Sequence, residues 1–283
     1  MALIEKKIKY NGLITFWSLT DESDRQTLVD GFKDIGLAEL IPSPKNDTQA
    51  LLRALNTTFK KKDTVIKTVR GTSGYKVCGR QNLQDGKIRY VEALKVTFDG
   101  NGDLAYEEGD EHTNIQWASW EQLNLEREFS YQKTLVSGGS LGTILSSACR
   151  SLNGIALRPR GGSYWIPNSQ KAKWEEIVSV ISEACSRNTV SCVETSTTPS
   201  TMETIYNAIV TQVESKLEQL DRDLDNEELG KRALATRERE AQELDSLVVD
   251  YEKILGRTLG FLREKTDEVE ARATMAIFQA MEG

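Results

Sequence analysis

Two short segments carry the residue types from which a ligand site is usually built. Asp99-Gly100-Asn101-Gly102-Asp103 sets oxygen donors at alternate positions, as the start of a calcium loop does, but such a loop also needs a glycine at its sixth position and a glutamate at its twelfth. Those positions hold Leu104 and Asp110. With Val96-Thr97-Phe98 before it and Leu104-Ala105-Tyr106 after it, the segment is expected to be a hairpin turn. Ser137-Gly138-Gly139-Ser140-Leu141-Gly142-Thr143 precedes a predicted helix, whose free N-terminal amides would suit a phosphate. A nucleotide-binding loop also requires a lysine followed by serine or threonine after its glycines, and this segment has neither. A glycine-rich turn between two helices is the expected structure.

The remaining chemistry is thin. Cys78, Cys149, Cys185 and Cys192 show no C-x-x-C spacing, and the single histidine, His112, sits in the acidic run Glu107-Glu108-Gly109-Asp110-Glu111. Structural zinc takes its ligands in closely spaced pairs, so buried or free thiols are expected instead. No histidine-dependent nucleophile can be assembled. The pairs Asp21-Glu22 and Glu107-Glu108 read as helix-start charge and loop surface. No catalytic, metal or cofactor-binding residue is therefore assigned and no cofactor is expected. An enzyme working through carboxylates ranks last of three functional readings.

Cations offer a second kind of chemistry. Arg158 and Arg160 flank Pro159 at the tip of a predicted hairpin, with Lys171 and Lys173 shortly after it, and guanidinium groups placed this way can lie on a phosphate backbone. The helix before the hairpin (SLGTILSSACRSL) adds only Arg150. The triplet Lys60-Lys61-Lys62 is explained by the exposed carbonyls at a helix C-terminus. Across the chain 43 acidic residues face 36 basic ones, a formal charge of −7, so no global positive field draws the protein to nucleic acid.

These segments need elements to carry them, and hydrophobic spacing predicts an α+β chain. Gly12–Leu19 reads as a buried strand. Ser23 with Gln26 forms a capping-box pattern ahead of a helix carrying Leu28, Val29, Phe32 and Ile35, and Asp47 is placed to cap a second helix carrying Leu51, Leu52, Leu55 and Phe59. Strands over 64–69, 75–80 and 88–98 follow with short gaps, which favours antiparallel hairpins. Residues 1–115 are thus predicted to be an α+β domain in which the first two helices cover one face of a small antiparallel sheet. Over 116–198, a helix at Trp117–Leu135, a helix capped by Ser140, a hairpin around Gly161-Gly162, a helix holding Trp174 and Ile177, and a strand at Thr189–Val193 suggest a winged-helix-like module.

A Ser/Thr/Pro-rich stretch, 195–200, then opens a proline-free tail predicted as a long helical hairpin, coiled-coil-like, over 199–283. Ile205, Ile209, Val213, Leu217 and Leu220 step as one helix face does. After an interruption at Asp225-Asn226 a seven-residue ladder runs through Leu234, Ala241, Val248, Leu255, Leu262, Val269 and Ala276. Gly256 and Gly260 weaken the second helix enough to allow a break. The ladder exceeds what a first helix ending near Leu224 can cover, so its residues are expected to form an oligomer or partner interface.

The segments Gly161-Gly162-Ser163-Tyr164-Trp165-Ile166-Pro167, Leu229-Gly230-Lys231-Arg232-Ala233-Leu234 and Tyr251-Glu252-Lys253-Ile254-Leu255 resemble a group of uncharacterised bacterial and phage proteins. The resemblance implies a phage-related setting, phage defence included, and no activity. No apolar run approaches the roughly 20 residues of a membrane-spanning helix, and Met1–Tyr10 lacks the core of a secretory signal, so a cytoplasmic protein without a membrane partner is expected. The leading expectation is a non-enzymatic interaction or assembly protein that self-associates or binds a protein partner through its C-terminal helices. The alternative is a winged-helix-like protein that binds nucleic acid through Arg158, Arg160, Lys171 and Lys173.

Overall fold

The computed structural model describes residues 10–59, 63–83, 86–109, 113–115, 117–158, 161–225 and 229–282; the lysine triplet at 60–62, His112 and Arg160 lie outside the described residues. In chain order the elements are β1 (Tyr10–Ser18), β2 (Ser23–Asp24), α1 (Arg25–Asp34), α2 (Asp47–Thr58), β3 (Thr64–Thr68), β4 (Gly74–Asn82), β5 (Ile88–Phe98), β6 (Leu104–Glu108) and α3 (Ser119–Lys133). There follow β7 (Leu135–Val136), α4 (Gly138–Ser151), β8 (Ile155–Ala156), β9 (Ser163–Pro167), α5 (Lys171–Ala184), β10 (Thr189–Ser196), α6 (Pro199–Leu224), α7 (Lys231–Leu255) and α8 (Gly260–Glu282). The chain is α+β with antiparallel sheets, as its hydrophobic spacing predicts.

The division into parts differs from the expected breaks at 115 and 198. Thr20–Ser140 forms one unit, and a second joins β1 to the chain from Leu141 onward. Pairing over long sequence separation is the cause: β1 lies between β10 and β9, in a sheet of order β10-β1-β9-β8.

Within Thr20–Ser140 the strands β3-β4-β5-β6 form an antiparallel meander. Alternation puts Tyr75, Val77, Leu94 and Val96 on one face, where they are buried with Leu51, Ala54 and Leu55 of α2 and Leu125 of α3. The covering pair is therefore α2 with α3, not the first two helices, and α3 does not belong to a middle module. The sequence hid this because α3 shows no clean stripe: Leu125 is buried while Trp120, Leu123 and Tyr131 are exposed.

Three helix starts also shift. Asp24 Oδ1 accepts from Thr27 N–H at 2.8 Å, Asn46 Oδ1 from Gln49 N–H at 2.8 Å, and Ser137 Oγ from Ser140 N–H at 3.1 Å. Neighbouring residues of equal capping ability stand at each start, and the chain uses Asp24, Asn46 and Ser137 where Ser23, Asp47 and Ser140 were expected.

In the second unit the hairpin of β8 and β9 exists, pairing Ile155 with Trp165 and Ala156 with Tyr164. It is no isolated wing, because β9 continues onto β1, with Ile14 opposite Trp165 and Thr15 opposite Tyr164. That register sorts the side chains between two faces. Trp17 and Tyr164 share one face and stack at 5.5 Å, with Trp174 of α5 at 6.5 Å from Trp17. Ile14, Ile155 and Trp165 belong to the other face and pack with the buried rows of α6, α7 and α8.

Those rows are Ile205, Ile209, Val213, Leu217 and Leu220 on α6, Leu234, Ala241, Leu244, Val248 and Tyr251 on α7, and Leu262, Val269 and Ala273 on α8. Thr198 and Pro199 start α6, the Thr198 hydroxyl accepting from Thr201 N–H at 3.2 Å. The predicted second helix of the tail is two. Gly256 ends α7 in the left-handed region at φ 60°, and Leu259 N–H donates to Glu252 Oε1 at 2.6 Å before α8 turns back along α7 as a hairpin.

Candidate interaction surface

The two ligand-like loops are closed by their own side chains. Asp99 Oδ1 accepts the N–H groups of Asn101 at 2.8 Å and Asp103 at 2.9 Å, while Asp99 N–H donates to the Asp103 carbonyl at 2.9 Å. The first carboxylate of the supposed calcium loop is thus spent on holding the turn between β5 and β6. At the start of α4, Gly138 N–H donates to Asp21 Oδ1 at 2.9 Å, and the same carboxylate pairs with Arg53 at 2.7 Å. A carboxylate therefore already occupies the place where a phosphate would sit.

The thiols are dispersed: Cys78 and Cys149 are buried, Cys185 is half-buried and Cys192 is exposed, all free. Burial pushes the Cys149 thiol well above the usual range and keeps it protonated. Among the described residues no group of three or more His, Cys, Asp or Glu side chains could hold a metal ion.

Of the cations proposed for nucleic acid, those among the described residues stand beside carboxylates or singly. Arg158 is exposed. Lys171 pairs with Glu194 of β10 and, at 3.8 Å, with Glu175, and the hydrogen bond to Glu194 raises its pKa. Lys173 pairs with Glu176 at 2.8 Å. Two of the four cations are thus held by carboxylates of their own unit, and the fourth, Arg160, lies outside the described residues.

The seven-residue ladder lies inside the unit. Leu234, Ala241, Val248, Leu262 and Val269 are buried, and Leu255 and Ala276 are half-buried. With α6 packed against both later helices, the rows find cover within the chain itself, which removes the reason for assigning these residues to an interface between molecules. The break that Gly256 and Gly260 allowed is made, and the chain turns back at it: α7, α8 and α6 together close a core that one continuous helix beside α6 could not.

A different row of α8 faces outward. Phe261, Glu264, Glu268, Ala271, Met275 and Phe278 recur at alternating steps of three and four and are all exposed, Met275 at 64% and Phe278 at 63%. Burial of Leu262, Val269 and Ala273 on the opposite side fixes the rotation of α8 that presents them, and ion pairs flank it. Arg263 reaches Asp245 of α7 at 3.5 Å, Lys265 reaches Glu214 of α6 at 2.8 Å, and Arg272 forks onto Asp221 at 2.5 Å and Asp225 at 2.7 Å. Inward, Thr266 is buried and donates to the Arg263 carbonyl at 2.8 Å. Sequence reading passed over this row because two glutamates interrupt its apolar residues; a second helical stripe, offset from the ladder, was the available signal.

Two of the three segments that carry the resemblance to bacterial and phage proteins hold packing and hydrogen-bond contacts. Gly162 lets Trp17 approach so closely that a Cβ there would lie 2.6 Å from the indole. Trp165 donates from Nε1 to Thr195 Oγ1 at 3.0 Å, and Tyr251 donates to the Asn153 carbonyl at 2.7 Å. No helix among the described residues is long and apolar enough to cross a membrane.

The sequence profile of a family of unknown function (DUF6744) matches residues 12–281, and the chain belongs to that family. No curated protein and no solved structure matches it.

Proposed function

We propose, starting from membership of a family with no assigned activity, that the chain is a non-enzymatic interaction or assembly protein whose C-terminal helices carry the contact. One observation supports this reading above others: the outward row of α8 ends in Met275 and Phe278, two large apolar side chains left exposed on a bundle whose inner rows already satisfy one another. Spaced three residues apart on one helix face, the two side chains offer a partner a continuous apolar contact. The buried inner face of α8 holds the row in a fixed orientation, with ion pairs on both flanks, so a partner would meet a prepared face. The motif resemblance supports a phage-related setting, and the absence of a positive field supports a protein partner. Nucleic-acid binding through the β8–β9 hairpin has less support, since Lys171 and Lys173 are engaged by Glu194 and Glu176.

The test is affinity capture from the native host with the full chain and with Met275→Glu/Phe278→Glu. A protein retained by the natural chain and lost with the double variant, while helix content and melting temperature stay unchanged, supports the reading. Equal retention by both chains overturns it.

A further inference from the structure

The outer row of α8 also states what kind of surface would fit it, an inference that rests on the reading just given. We propose that this row docks an amphipathic helix of a partner protein that is basic at its centre and apolar at both ends.

Charge selects the partner. Every lysine and arginine of α8 is paired with a carboxylate of α6 or α7 or of the turn after α6: Arg263 to Asp245, Lys265 to Glu214, and Arg272 to Asp221 and Asp225. Glu264, Asp267 and Glu268 are exposed and have no partner among the described residues. The cations of the helix thus build the bundle, and its outward side keeps unpaired carboxylates in the middle with Phe261 on one flank and Ala271, Met275 and Phe278 on the other. At about 1.5 Å per residue the row from Phe261 to Phe278 is about 25 Å long, which calls for a partner helix of roughly five turns. Lysine or arginine in its central turns would meet Glu264 and Glu268, and apolar residues at its ends would cover the aromatic rings.

The same charges disfavour other occupants. In an antiparallel pair of α8 helices, aligning Phe261 with Phe278 of the second copy sets Glu268 opposite Ala271 and about 4.5 Å along the axis from the Glu268 of that copy, and like charges this close repel. Nucleic acid and anionic lipid are repelled by the three carboxylates.

The probe is a fluorescent synthetic helix of about 20 residues with leucines at both ends of one face and lysines at its centre, compared with a twin carrying glutamates in place of the lysines. Anisotropy with the full chain should show the basic helix binding and the acidic twin not binding, with affinity falling at least about tenfold between low and physiological salt. Glu264→Lys/Glu268→Lys should invert the preference, capturing the acidic twin and releasing the basic helix. Equal binding of the two helices, binding of neither, or no inversion in the charge-reversed chain overturns the proposal. Light scattering that shows a dimer dissociated by Met275→Glu/Phe278→Glu overturns it in favour of a second copy. A failed probe with host capture still abolished by that double variant separates the two readings: the partner chemistry falls and the interaction surface stands.

Discussion

The indole of Trp165 meets the phenol ring of Tyr251 edge to face, with centroids 5.9 Å apart and planes at 61°. Trp165 stands in the middle of the sheet on β9 and Tyr251 near the end of α7, so this one contact seats the helical bundle on the sheet. Both rings are fully buried and both polar tips are bonded, the indole to Thr195 and the phenol to the Asn153 carbonyl. Asn153 has a left-handed backbone (φ 55°), and its side chain donates to Asp250 at 2.9 Å, so the turn before β8 is held from two sides. Tyr251→Phe should keep the packing and lose the hydrogen bond, costing about 1 kcal/mol, whereas Tyr251→Ala should cost about 3–5 kcal/mol. Urea denaturation of the two variants checks the difference. Equal losses would show that the hydroxyl rather than the ring seats the bundle.

Ionisation offers a second test of the same residue. Burial holds the Tyr251 hydroxyl well above the usual phenol range. A pKa raised on folding means that the folded chain binds the proton more tightly, so the stability involved is complete below about pH 10 and is lost as pH rises beyond it. Lys265 and Lys171, whose pKa values are raised by hydrogen bonds to Glu214 and Glu194, lose stability in the same direction. The melting temperature should therefore fall above about pH 10, and Tyr251→Phe should flatten part of that fall. An identical alkaline limb in the variant would show that Tyr251 is not among the groups responsible.

Two glycines are set by close approach rather than by turn conformation. A Cβ on Gly12 would meet the Ile166 carbonyl and lie 2.7 Å from the Trp165 ring, and one on Gly162 would lie 2.6 Å from the Trp17 ring. Neither the paired backbone of β9 nor a packed indole can give way cheaply. Gly12→Ala and Gly162→Ala should each cost about 1–3 kcal/mol. Gly260→Ala, where nothing lies within 4 Å at the start of α8, should instead gain about 0.4–1 kcal/mol. Calorimetric melting of the three variants decides, and a loss of stability in Gly260→Ala as well would show that close contact is not what separates these glycines.

How far the chain could be read from its residues follows from the range of the forces involved. The helix faces of α2, α5, α6 and α7 were legible because apolar spacing is a local property that burial then uses. The meander β3-β4-β5-β6 was legible for the same reason, its turns being short and rich in glycine. The place of β1 was not: its partners are Ser163–Pro167 and Thr189–Ser196, far along the chain, and nothing within Gly12–Leu19 encodes which strands will flank it. Without β1 the β8–β9 hairpin looked like a free wing, and with it the hairpin becomes part of a sheet. The outer row of α8 was hidden by Glu264 and Glu268, the two residues that give it a preferred partner.

The break between α7 and α8 decides whether the ladder is an inner seam or an outer one, and it rests on two residues. Gly256 takes φ 60°, where an L side chain costs about 1–2 kcal/mol, and Leu259 is fully buried beneath the returning helix while its N–H is capped by Glu252. Gly256→Ala should therefore destabilise by about 1–2 kcal/mol, and Leu259→Ala by about 2–5 kcal/mol. A continuous helix through this segment would respond in the opposite sense to the first change, since alanine is favoured over glycine by roughly 1 kcal/mol inside a helix. The sign of the Gly256→Ala effect in urea denaturation thus separates the two. A stabilised variant, with Val269 and Ala273 becoming accessible to solvent by hydrogen exchange, would mean that α7 runs on into α8 and that the ladder is again free to meet another molecule.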